Sequence, residues 1–477
     1  MTQSTSLEHH GDAAQSARRP GVMLVLLSLA QFMVILDVTV VNVALPDIGS
    51  SLQLDREMLT WVVTAYTMTL GGLLILGGRL ADAIGARAIF MVGLTVFSVA
   101  SLSSGLATNG ELLLASRAAQ GLGAAMLSPA ALSLLMRVFT GRERDRALAV
   151  WGAIGGAGAA AGVLVGGALT SGPGWQWAFF VNVPVGLLVL LALPLNVPSL
   201  PRQGAGGIDL PGALAGTAAI ALGIYGLTKA GDAGWTSTGA LLPVVGAVLA
   251  AGLFVLIETR SGRPLVPPAL MRRTSLPGGL MVMITASATM VSAYFLTSLF
   301  LQRAHGFSPL ETGLTFLPSA VAVAAGAHAA GHAVTRLGPR MTGGTGLALA
   351  GLGLVVMGGA SSGDRNALTT LIAGLLAASV GIGMAFVTST ISGLSGIGHR
   401  HAGVASGVLT TGHELGASLG VAVVSSLAAA SLVGTDAAGF ERAYLVAGVA
   451  TLVIAGAAAR LLPRERPTAE NLPKSVH

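Results

Sequence analysis

The sequence predicts an all-α membrane protein with two six-helix bundles and two further helices inserted between them, fourteen transmembrane helices in total. Three observations predict it: an apolar composition, fourteen apolar stretches of membrane-spanning length, and a motif that recurs in corresponding loops of the two halves. Apolar residues make up 53% of the 477 residues and charged residues only 10%, whereas a soluble domain carries about 25% charged residues. Cysteine is absent, which excludes disulfide bonds, thiol catalysis and cysteine-ligated metals.

The candidate spans follow one another with short connections. A helix needs about 20 mostly apolar residues to cross a bilayer. Most connections are under 15 residues long and leave no room for a folded soluble domain. The spans are residues 21–44, 58–78, 88–106, 111–135, 147–170, 178–197, 211–228, 239–257, 277–301, 312–334, 341–360, 367–390, 403–431 and 440–461.

The distribution of charge predicts the orientation. With the N-terminus in the cytoplasm, the inner segments carry 20 of the 26 Lys and Arg residues, and the outer loops carry 5. Membrane proteins normally carry their excess of positive charge on the cytoplasmic side. The net charge of +6 therefore indicates orientation rather than a nucleic-acid partner, and both termini are expected in the cytoplasm.

A short motif occurs twice, 253 residues apart. The pattern Gly-x3-Asp/Thr-x2-Gly-x-Arg follows the second span at residues 78–87 and the tenth at residues 331–340. Its recurrence at matching positions predicts a duplicated six-helix unit, which is a transporter architecture. The predicted domains are a cytoplasmic tail (1–20), an N-terminal bundle (21–198), a linker region with two extra helices near 211–228 and 239–257 (199–275), a C-terminal bundle (276–462) and a second cytoplasmic tail (463–477).

Several motifs, taken in order, resemble those of one transporter family. The sequence is similar to the fourteen-helix drug:proton antiporters of the major facilitator superfamily, the multidrug and antibiotic efflux type. The resemblance covers residues 21–462 and implies the major facilitator fold. It also implies transport that is driven by the proton gradient and needs no cofactor. The matching segments are residues 36–46 (LDVTVVNVALP), 61–66 (WVVTAY), 78–87, 117–123 (RAAQGLG), 175–184 (WQWAFFVNVP), 306–309 (GFSP) with Pro318, and 415–420 (LGASLG).

Three ionisable side chains lie inside predicted spans: Asp37, Arg117 and Glu414. Such a group costs roughly 3 kcal/mol in a membrane, so each needs a partner or a function. Asp37 lies about 24 Å from the inner end of its span and Arg117 about 9 Å from the outer end of its own, at similar depths. We expect them to pair, either to couple protons to transport or as a structural ion pair. Glu414, beside His413, is expected to take up a proton or bind a cationic substrate; the alternative is an interhelical hydrogen bond.

Two further groups of residues are expected to serve the movement of the halves. In the cytoplasmic loop, Asp82 is expected to cap the next helix or to accept a hydrogen bond from Arg87 or from the facing half, as in the family's inner gate; a simple tight turn is the alternative. Glycines four residues apart let helices approach closely. The gate residues are Gly78, Asp82, Gly85 and Arg87, and the packing glycines are Gly158, Gly162, Gly166, Gly167, Gly412, Gly416 and Gly420.

Polar and aromatic residues within the spans are candidates for the substrate cavity. His328 and His332 have a zinc-like spacing but no third ligand, so no metal site is predicted. His9-His10 and the pair His399 and His401 are expected to be exposed to solvent. The cavity candidates are Gln31, Asn42, Trp61, Tyr66, Gln120, Tyr294, Phe386 and His413.

These features predict a secondary transporter of the bacterial cytoplasmic membrane. It would use the proton gradient to export amphipathic small molecules, cationic drugs included, as a monomer within the lipid bilayer. No nucleophile–base constellation suggests an enzyme, and no nucleic-acid partner is expected. One alternative is a transporter of a specific metabolite or lipid with different or no proton coupling. Another is a membrane receptor or scaffold, which would need neither the repeat nor the buried charges.

Overall fold

The computed structural model describes residues 20–54, 56–197, 209–262, 264–307, 309–360, 367–398, 401–433 and 438–462. The predicted tails, the first part of the predicted linker region, His9-His10 and His399 lie outside these residues. The helices are α1 (Pro20–Leu52), α2 (Arg56–Ile84), α3 (Ala86–Gly105), α4 (Gly110–Val138), α5 (Gly141–Ser171), α6 (Trp177–Phe180), α7 (Asn182–Asn196), α8 (Leu210–Ala233), α9 (Thr238–Arg260), α10 (Pro268–Arg273), α11 (Leu276–Ala304), α12 (Pro309–Leu337), α13 (Pro339–Ala360), α14 (Ala367–Gly393), α15 (Ala402–Val433) and α16 (Ala438–Leu461).

The described part of the chain is helical, with no β-strand in it. Twelve of its helices are long and apolar enough to cross a membrane, with α6 and α7 counted as one. The two other predicted spans coincide with α5 and α15, which are 31 and 32 residues long. Every predicted span thus falls on a helix, while the count of fourteen membrane crossings stays a prediction.

The sixth predicted span is interrupted at one residue. The helix is divided at Val181, whose own dihedral angles are helical (φ −59°, ψ −28°). Pro184 stands four residues after Phe180 and has no N–H to donate to the Phe180 carbonyl. The proline therefore removes one bond from the helical ladder at this point.

The two copies of the repeated motif make the same kind of turn. Gly85 and Gly338, the corresponding second glycines, have φ angles of 122° and 85°. Residues with a Cβ rarely adopt such angles, whereas glycine does so without strain. The recurring glycine therefore has a local cause: it lets the chain reverse directly between two helices in each half.

The helices form two groups, here called the N-terminal half (α1–α7) and the C-terminal half (α11–α16). In the first, α4 packs against α2 and α3, and α1 against α5; in the second, α13 packs against α14 and α16, and α11 against α14 and α15. The halves meet where α5 packs on α12 and where α2 packs on α15. Each half therefore contributes a helix to both of these contacts.

The buried apolar residues show where the halves are joined. One large cluster contains side chains of both halves, among them Leu27 and Leu74 of the N-terminal half and Val282 and Leu409 of the C-terminal half. It lies towards the helix ends that are predicted to face the cytoplasm. Towards the opposite ends each half has a separate apolar cluster. The halves therefore share a core at the predicted cytoplasmic side and have separate cores at the outer side.

Helices α8 and α9, the inserted hairpin, lie outside both halves. Helix α8 packs against α2 of one half and α15 of the other, while the main contact of α9 is with α8. Only 6% of the most apolar stretch of α9 is buried. Side chains such as Leu242 and Leu249 are 73% and 68% exposed. A helix this apolar and this exposed is suited to a lipid environment.

Most of the predicted packing glycines lie at helix contacts. A Cβ on Gly158 or Gly166 would meet α1, at 2.9 Å from Ile35 Cγ2 and 3.0 Å from Val40 Cα, and Gly162 faces Thr39 of the same helix. Gly412, Gly416 and Gly420 face α11 in the same way. Gly167 differs, because a Cβ there would meet nothing within 4 Å; its assignment as a packing glycine is wrong, since it lies on a different side of α5.

The α11–α15 contact makes an alanine substitution at Gly420 costly. A Cβ there would lie 2.5 Å from the Ala288 carbonyl oxygen, so we expect Gly420→Ala to lower the stability by about 1–3 kcal/mol. Gly456→Ala is the matched control, because nothing lies within 4 Å of a Cβ there and alanine favours helix by about 1 kcal/mol. Thermal unfolding in detergent measures both variants. Equal melting temperatures for the two would contradict the close contact.

Candidate transport site

A buried ion pair joins α1 and α4 in the N-terminal half. Arg117 Nη1 lies 2.5 Å from Asp37 Oδ2, and the two side chains are 1% and 0% exposed. The Arg117 Nε group also donates to the Val62 carbonyl of α2 at 3.2 Å. The predicted pairing of Asp37 with Arg117 is therefore present, and it ties together three helices.

Two amides complete the surroundings of the Asp37 carboxylate. Gln120 Nε2 and Asn182 Nδ2 each donate to Asp37 Oδ1 at 3.0 Å. Gln120 Oε1 in turn accepts from Arg117 Nη1 at 2.9 Å and from Ser104 Oγ at 3.2 Å. A buried charge needs both an opposite charge and hydrogen bonds to be tolerated, and Asp37 has both.

Asn182 is a member of this network that the sequence did not single out. Its Nδ2 group donates to Ser101 Oγ at 3.0 Å as well as to Asp37, while its Oδ1 atom is buried without a hydrogen-bond partner in the part of the chain that the structure describes. It begins α7, directly after the interruption at Val181. A buried amide at the start of an apolar helix was the available signal, but nothing in the sequence showed that it would reach α1.

Tyr66 of α2 lies against the ion pair. The Arg117 guanidinium carbon is 4.3 Å from the centre of the Tyr66 ring and 5.8 Å from that of Phe179. Such cation–π contacts stabilise a desolvated guanidinium by about 2 kcal/mol. The Tyr66 hydroxyl is buried and has no hydrogen-bond partner among the described residues. The ring therefore shields the pair from the rest of the protein.

Glu414 lies on the C-terminal half, at the contact of α15 with α2. A Cβ on Gly71 would be 3.7 Å from Glu414 Cβ, and Gly71 follows Tyr66 by five residues, about 7.5 Å of helical rise. The Glu414 side chain is half-buried. Within the described residues its carboxylate makes no hydrogen bond or ion pair, so Glu414 differs from Asp37 in having no fixed partner.

The remaining cavity candidates are spread over several places. Phe386 packs on the His413 ring at 5.5 Å, and the Tyr294 ring on Phe316 at 5.1 Å. Trp61 stacks on Tyr225 of the inserted hairpin at 5.7 Å, so it lies at a helix contact between the N-terminal half and the hairpin. Gln31 is buried with its Oε1 atom unpartnered, and Asn42 is exposed. The structure therefore brings only Tyr66 and Gln120 to the Asp37–Arg117 pair.

The cytoplasmic loop joins the two halves through Asp82. Its carboxylate accepts hydrogen bonds from the backbone N–H groups of Gly403 at 3.1 Å and Val404 at 3.0 Å, at the start of α15. Arg137 Nη2 lies 3.7 Å from Asp82 Oδ1. A carboxylate at a helix N-terminus is favoured by the helix dipole and by the unpaired N–H groups there. Of the three predicted alternatives, the structure selects the bond to the facing half.

The other loop residues have distinct contacts. Gly78 lies directly against the Gly403 carbonyl, so a side chain there would separate α2 from α15. Arg87 does not pair with Asp82; its Nη2 group donates to the Pro194 carbonyl at 3.5 Å. Gly85 is the N-cap of α3, which has no side-chain cap, so the expectation that Asp82 caps this helix is wrong.

No metal site is present among the residues that the structure describes. No group of three or more His, Asp or Glu side chains in that part of the chain could hold an ion. The His328 and His332 rings are exposed and 4.8 Å apart, and His332 Nδ1 lies 3.1 Å from the His328 carbonyl oxygen.

The fold and the site together define a multi-pass helical membrane protein with charges buried between its helices, a property of transporters. Residues 27–421 match the Major Facilitator Superfamily, and the chain belongs to that family. Its members are transporters and not enzymes.

Known proteins show similarity over most of the chain. The lincomycin resistance protein of Streptomyces lincolnensis is 35% identical over 95% of this chain and 94% of its own length. The puromycin resistance protein pur8 of Streptomyces alboniger is 36% identical over 85% of this chain and 81% of its own. The structure of the proton:xylose symporter XylE matches with a TM-score of 0.67 at 15% identity, covering 95% of this chain and 98% of that one, which shows the shared fold.

The Asp82 contact predicts that a single substitution loosens the cytoplasmic side. Asp82→Asn removes the charge that the N-terminus of α15 binds. Hydrogen bonds to charged groups contribute roughly 1.5–3 kcal/mol each, so we expect at least about a tenfold larger population with α2 and α15 apart. The protein has no cysteine, so Ser406→Cys, buried on α15, reports the change by its rate of maleimide labelling.

Thr335 provides the control, because it occupies the position of Asp82 in the second copy of the motif and its side chain is exposed. We expect Thr335→Ala to leave the labelling rate of Ser406→Cys unchanged. Equal rates in the Asp82→Asn and native backgrounds would show that Asp82 does not hold the halves together.

Proposed function

We propose that the protein is a proton-coupled secondary transporter that exports amphipathic drugs, cationic ones included, across the bacterial cytoplasmic membrane by alternating access. In this proposal it has fourteen transmembrane helices, arranged as six, two and six, with both termini in the cytoplasm. It acts as a monomer, and the proton gradient is its energy source in place of a cofactor.

The names of the relatives support drug export. Two of them are named as resistance proteins for lincomycin and puromycin, and a third is the cephamycin export protein CmcT of Amycolatopsis lactamdurans, 35% identical over 87% of this chain. These compounds differ widely in chemistry. We therefore propose an amphipathic antibiotic as the substrate without selecting one compound.

The Asp37–Arg117 pair is the observation that carries proton coupling. Pairing with a guanidinium favours the charged form of a carboxylate, whereas an apolar environment without that partner favours the protonated form. A movement that separates Asp37 from Arg117 would therefore be linked to uptake of a proton. The hydrogen bonds from α4 and α7 to Asp37 make the pair sensitive to rearrangement of three helices.

The closed cytoplasmic side supports alternating access. The Asp82 contacts and the apolar cluster shared by both halves hold the predicted inner ends together. The separate clusters at the outer ends leave the halves free to part there. We propose that this is the state in which substrate leaves, and that release of Asp82 from α15 begins the return to the inward-facing state.

Proton coupling predicts that Asp37→Asn abolishes driven transport. Asparagine keeps the shape and cannot be deprotonated, so we expect accumulation of ethidium in energised everted vesicles to fall at least about tenfold, to the level seen with an uncoupler. Asp47→Asn is the matched control, because Asp47 lies on the same helix with an exposed side chain. Uncoupler-sensitive accumulation that persists in Asp37→Asn would contradict the coupling role.

The structural alternative for the ion pair has its own test. Removing one partner of a buried pair costs about 3–5 kcal/mol, whereas replacing both is often tolerated. If the pair only fixes helix packing, Asp37→Asn combined with Arg117→Gln should regain native transport. If it couples protons, the double variant folds but remains unable to accumulate ethidium against a gradient.

The unpaired carboxylate of Glu414 predicts a preference for cations. A half-buried carboxylate without a fixed partner can pair with a cationic group of the substrate, and that pairing favours its charged form. We expect Glu414→Gln to reduce transport of cationic ethidium at least about fivefold, with a smaller effect on neutral chloramphenicol. Glu111→Gln, exposed at the outer end of α4, is the control. Equal loss for both compounds would assign Glu414 a role other than cation recognition.

A further inference from the structure

The inserted hairpin is attached to the two halves in different ways. On the C-terminal half, the Trp235 indole N–H, in the turn between α8 and α9, donates to Ser426 Oγ of α15 at 3.0 Å. Ser426 Oγ also lies 3.5 Å from the Ala230 carbonyl oxygen of α8. These hydrogen bonds fix the direction and register of α8 on α15, because a hydrogen bond forms only over a narrow range of distances and angles.

A second attachment, to the segment that leads into the C-terminal half, lies at the other end of the hairpin. Glu258, near the end of α9 and only 5% exposed, accepts hydrogen bonds from the backbone N–H groups of Leu265 at 3.0 Å and Val266 at 2.9 Å. Both of these residues are buried in the apolar cluster that the two halves share. The chain then continues into α10 and α11, so Glu258 holds the hairpin to the segment that enters the C-terminal half.

The contact with the N-terminal half is of another kind. Gly71 and Gly72 present a smooth surface of α2 to α8, with Ile224 Cδ1 and Thr217 Cγ2 at 2.5 Å and 3.2 Å from the positions that their Cβ atoms would occupy. Further out, Trp61 and Tyr225 stack with an interplanar angle of 22°. Apolar and ring contacts lack the direction of hydrogen bonds, and small residues let helices slide past one another.

Glu414 gives this contact its functional meaning. Its Cβ lies beside Gly71, and Leu415 lies 3.7 Å from the Cβ position of Gly223 on α8. The carboxylate-bearing turn of α15 is therefore at the junction of α2, α8 and α15. Helix α8 covers this junction. The lipid-facing helix α9, the other helix of the hairpin, packs against α8.

We propose that the inserted hairpin is a lateral seal that moves as part of the C-terminal half. It stays fixed to α15 while α2 slides or separates from α8 across Gly71 and Gly72, so that Glu414 remains covered from the bilayer throughout the cycle. This inference rests on the proposed function, because the cycle is a transport cycle. The movement of the hairpin is tested separately, without measuring transport.

Two cysteine pairs in the naturally cysteine-free chain test the proposal. Gly72→Cys with Ala221→Cys joins α2 to α8, with 3.6 Å between the Cβ positions, and Gly231→Cys with Ala422→Cys joins α8 to α15, with 4.0 Å between them. Both distances suit a disulfide. We expect oxidation of the first pair to reduce ethidium transport in proteoliposomes at least about tenfold, reversibly with dithiothreitol, and oxidation of the second to leave transport within about twofold of the reduced protein.

The opposite pattern would place the hairpin on the N-terminal half and overturn the proposal. Loss of transport with both disulfides would also overturn the proposal, because α8 would then have to part from both halves. Full transport with both disulfides would overturn it as well, because α8 would then part from neither half. Each single-cysteine variant controls for the substitution itself, which matters at Gly72, where a side chain is tightly placed.

A measurement without transport separates this proposal from the proposed function. In the Asp82→Asn background, where α2 and α15 are expected to part, we expect the α2–α8 pair to form its disulfide at least about fivefold more slowly with copper phenanthroline. The α8–α15 pair should react at an unchanged rate. This result supports the hairpin movement even if no proton or drug is transported, and equal slowing of both pairs would overturn it.

Discussion

A charge inside a bilayer is costly without a partner, and the Asp37–Arg117 pair shows what that demand does to the fold. Water cannot satisfy either group there, so the protein supplies one charge for the other, a Val62 carbonyl that accepts a hydrogen bond from Arg117, and amides of Gln120 and Asn182 that donate to Asp37. These groups come from α1, α2, α4 and α7. One ion pair therefore fixes the relative position of four helices of the N-terminal half, and any movement that disturbs one of them changes the surroundings of the carboxylate.

The same demand explains the difference between the inner and outer sides of the contact between the halves. At the cytoplasmic side Asp82 finds its hydrogen-bond donors on the other half, at the N-terminus of α15, so the two halves satisfy each other there. In the outer part, Asp37 is satisfied wholly within its own half. Among the described residues, the Glu414 carboxylate has no hydrogen-bond or ion-pair partner in either half. The Asp82 hydrogen bonds thus hold the halves together at the cytoplasmic end, and the halves can part there only when these bonds break.

Sequence reasoning reached the parts of the site that depend on one helix at a time. Apolar length located the helices, and the depths of Asp37 and Arg117 along their helices were enough to expect a pair. The sequence could not predict that Asn182 contacts Asp37, because this contact depends on how α7 lies against α1. For the same reason the sequence could not show that Trp61 faces Tyr225 of the hairpin while Tyr66 faces Arg117, because the direction in which a side chain points depends on how its helix packs.

The sequence by itself determined that the chain is a helical membrane protein, where its long apolar helices lie, and which three charges have to be explained, because hydrophobic length and the cost of buried charge are local properties of the chain. Only the tertiary structure decided which groups those charges meet, which of three partners Asp82 takes, and that the inserted hairpin lies across α2 and α15. Each of these depends on contacts between residues far apart in the chain, and such contacts follow from how all the helices fill space together.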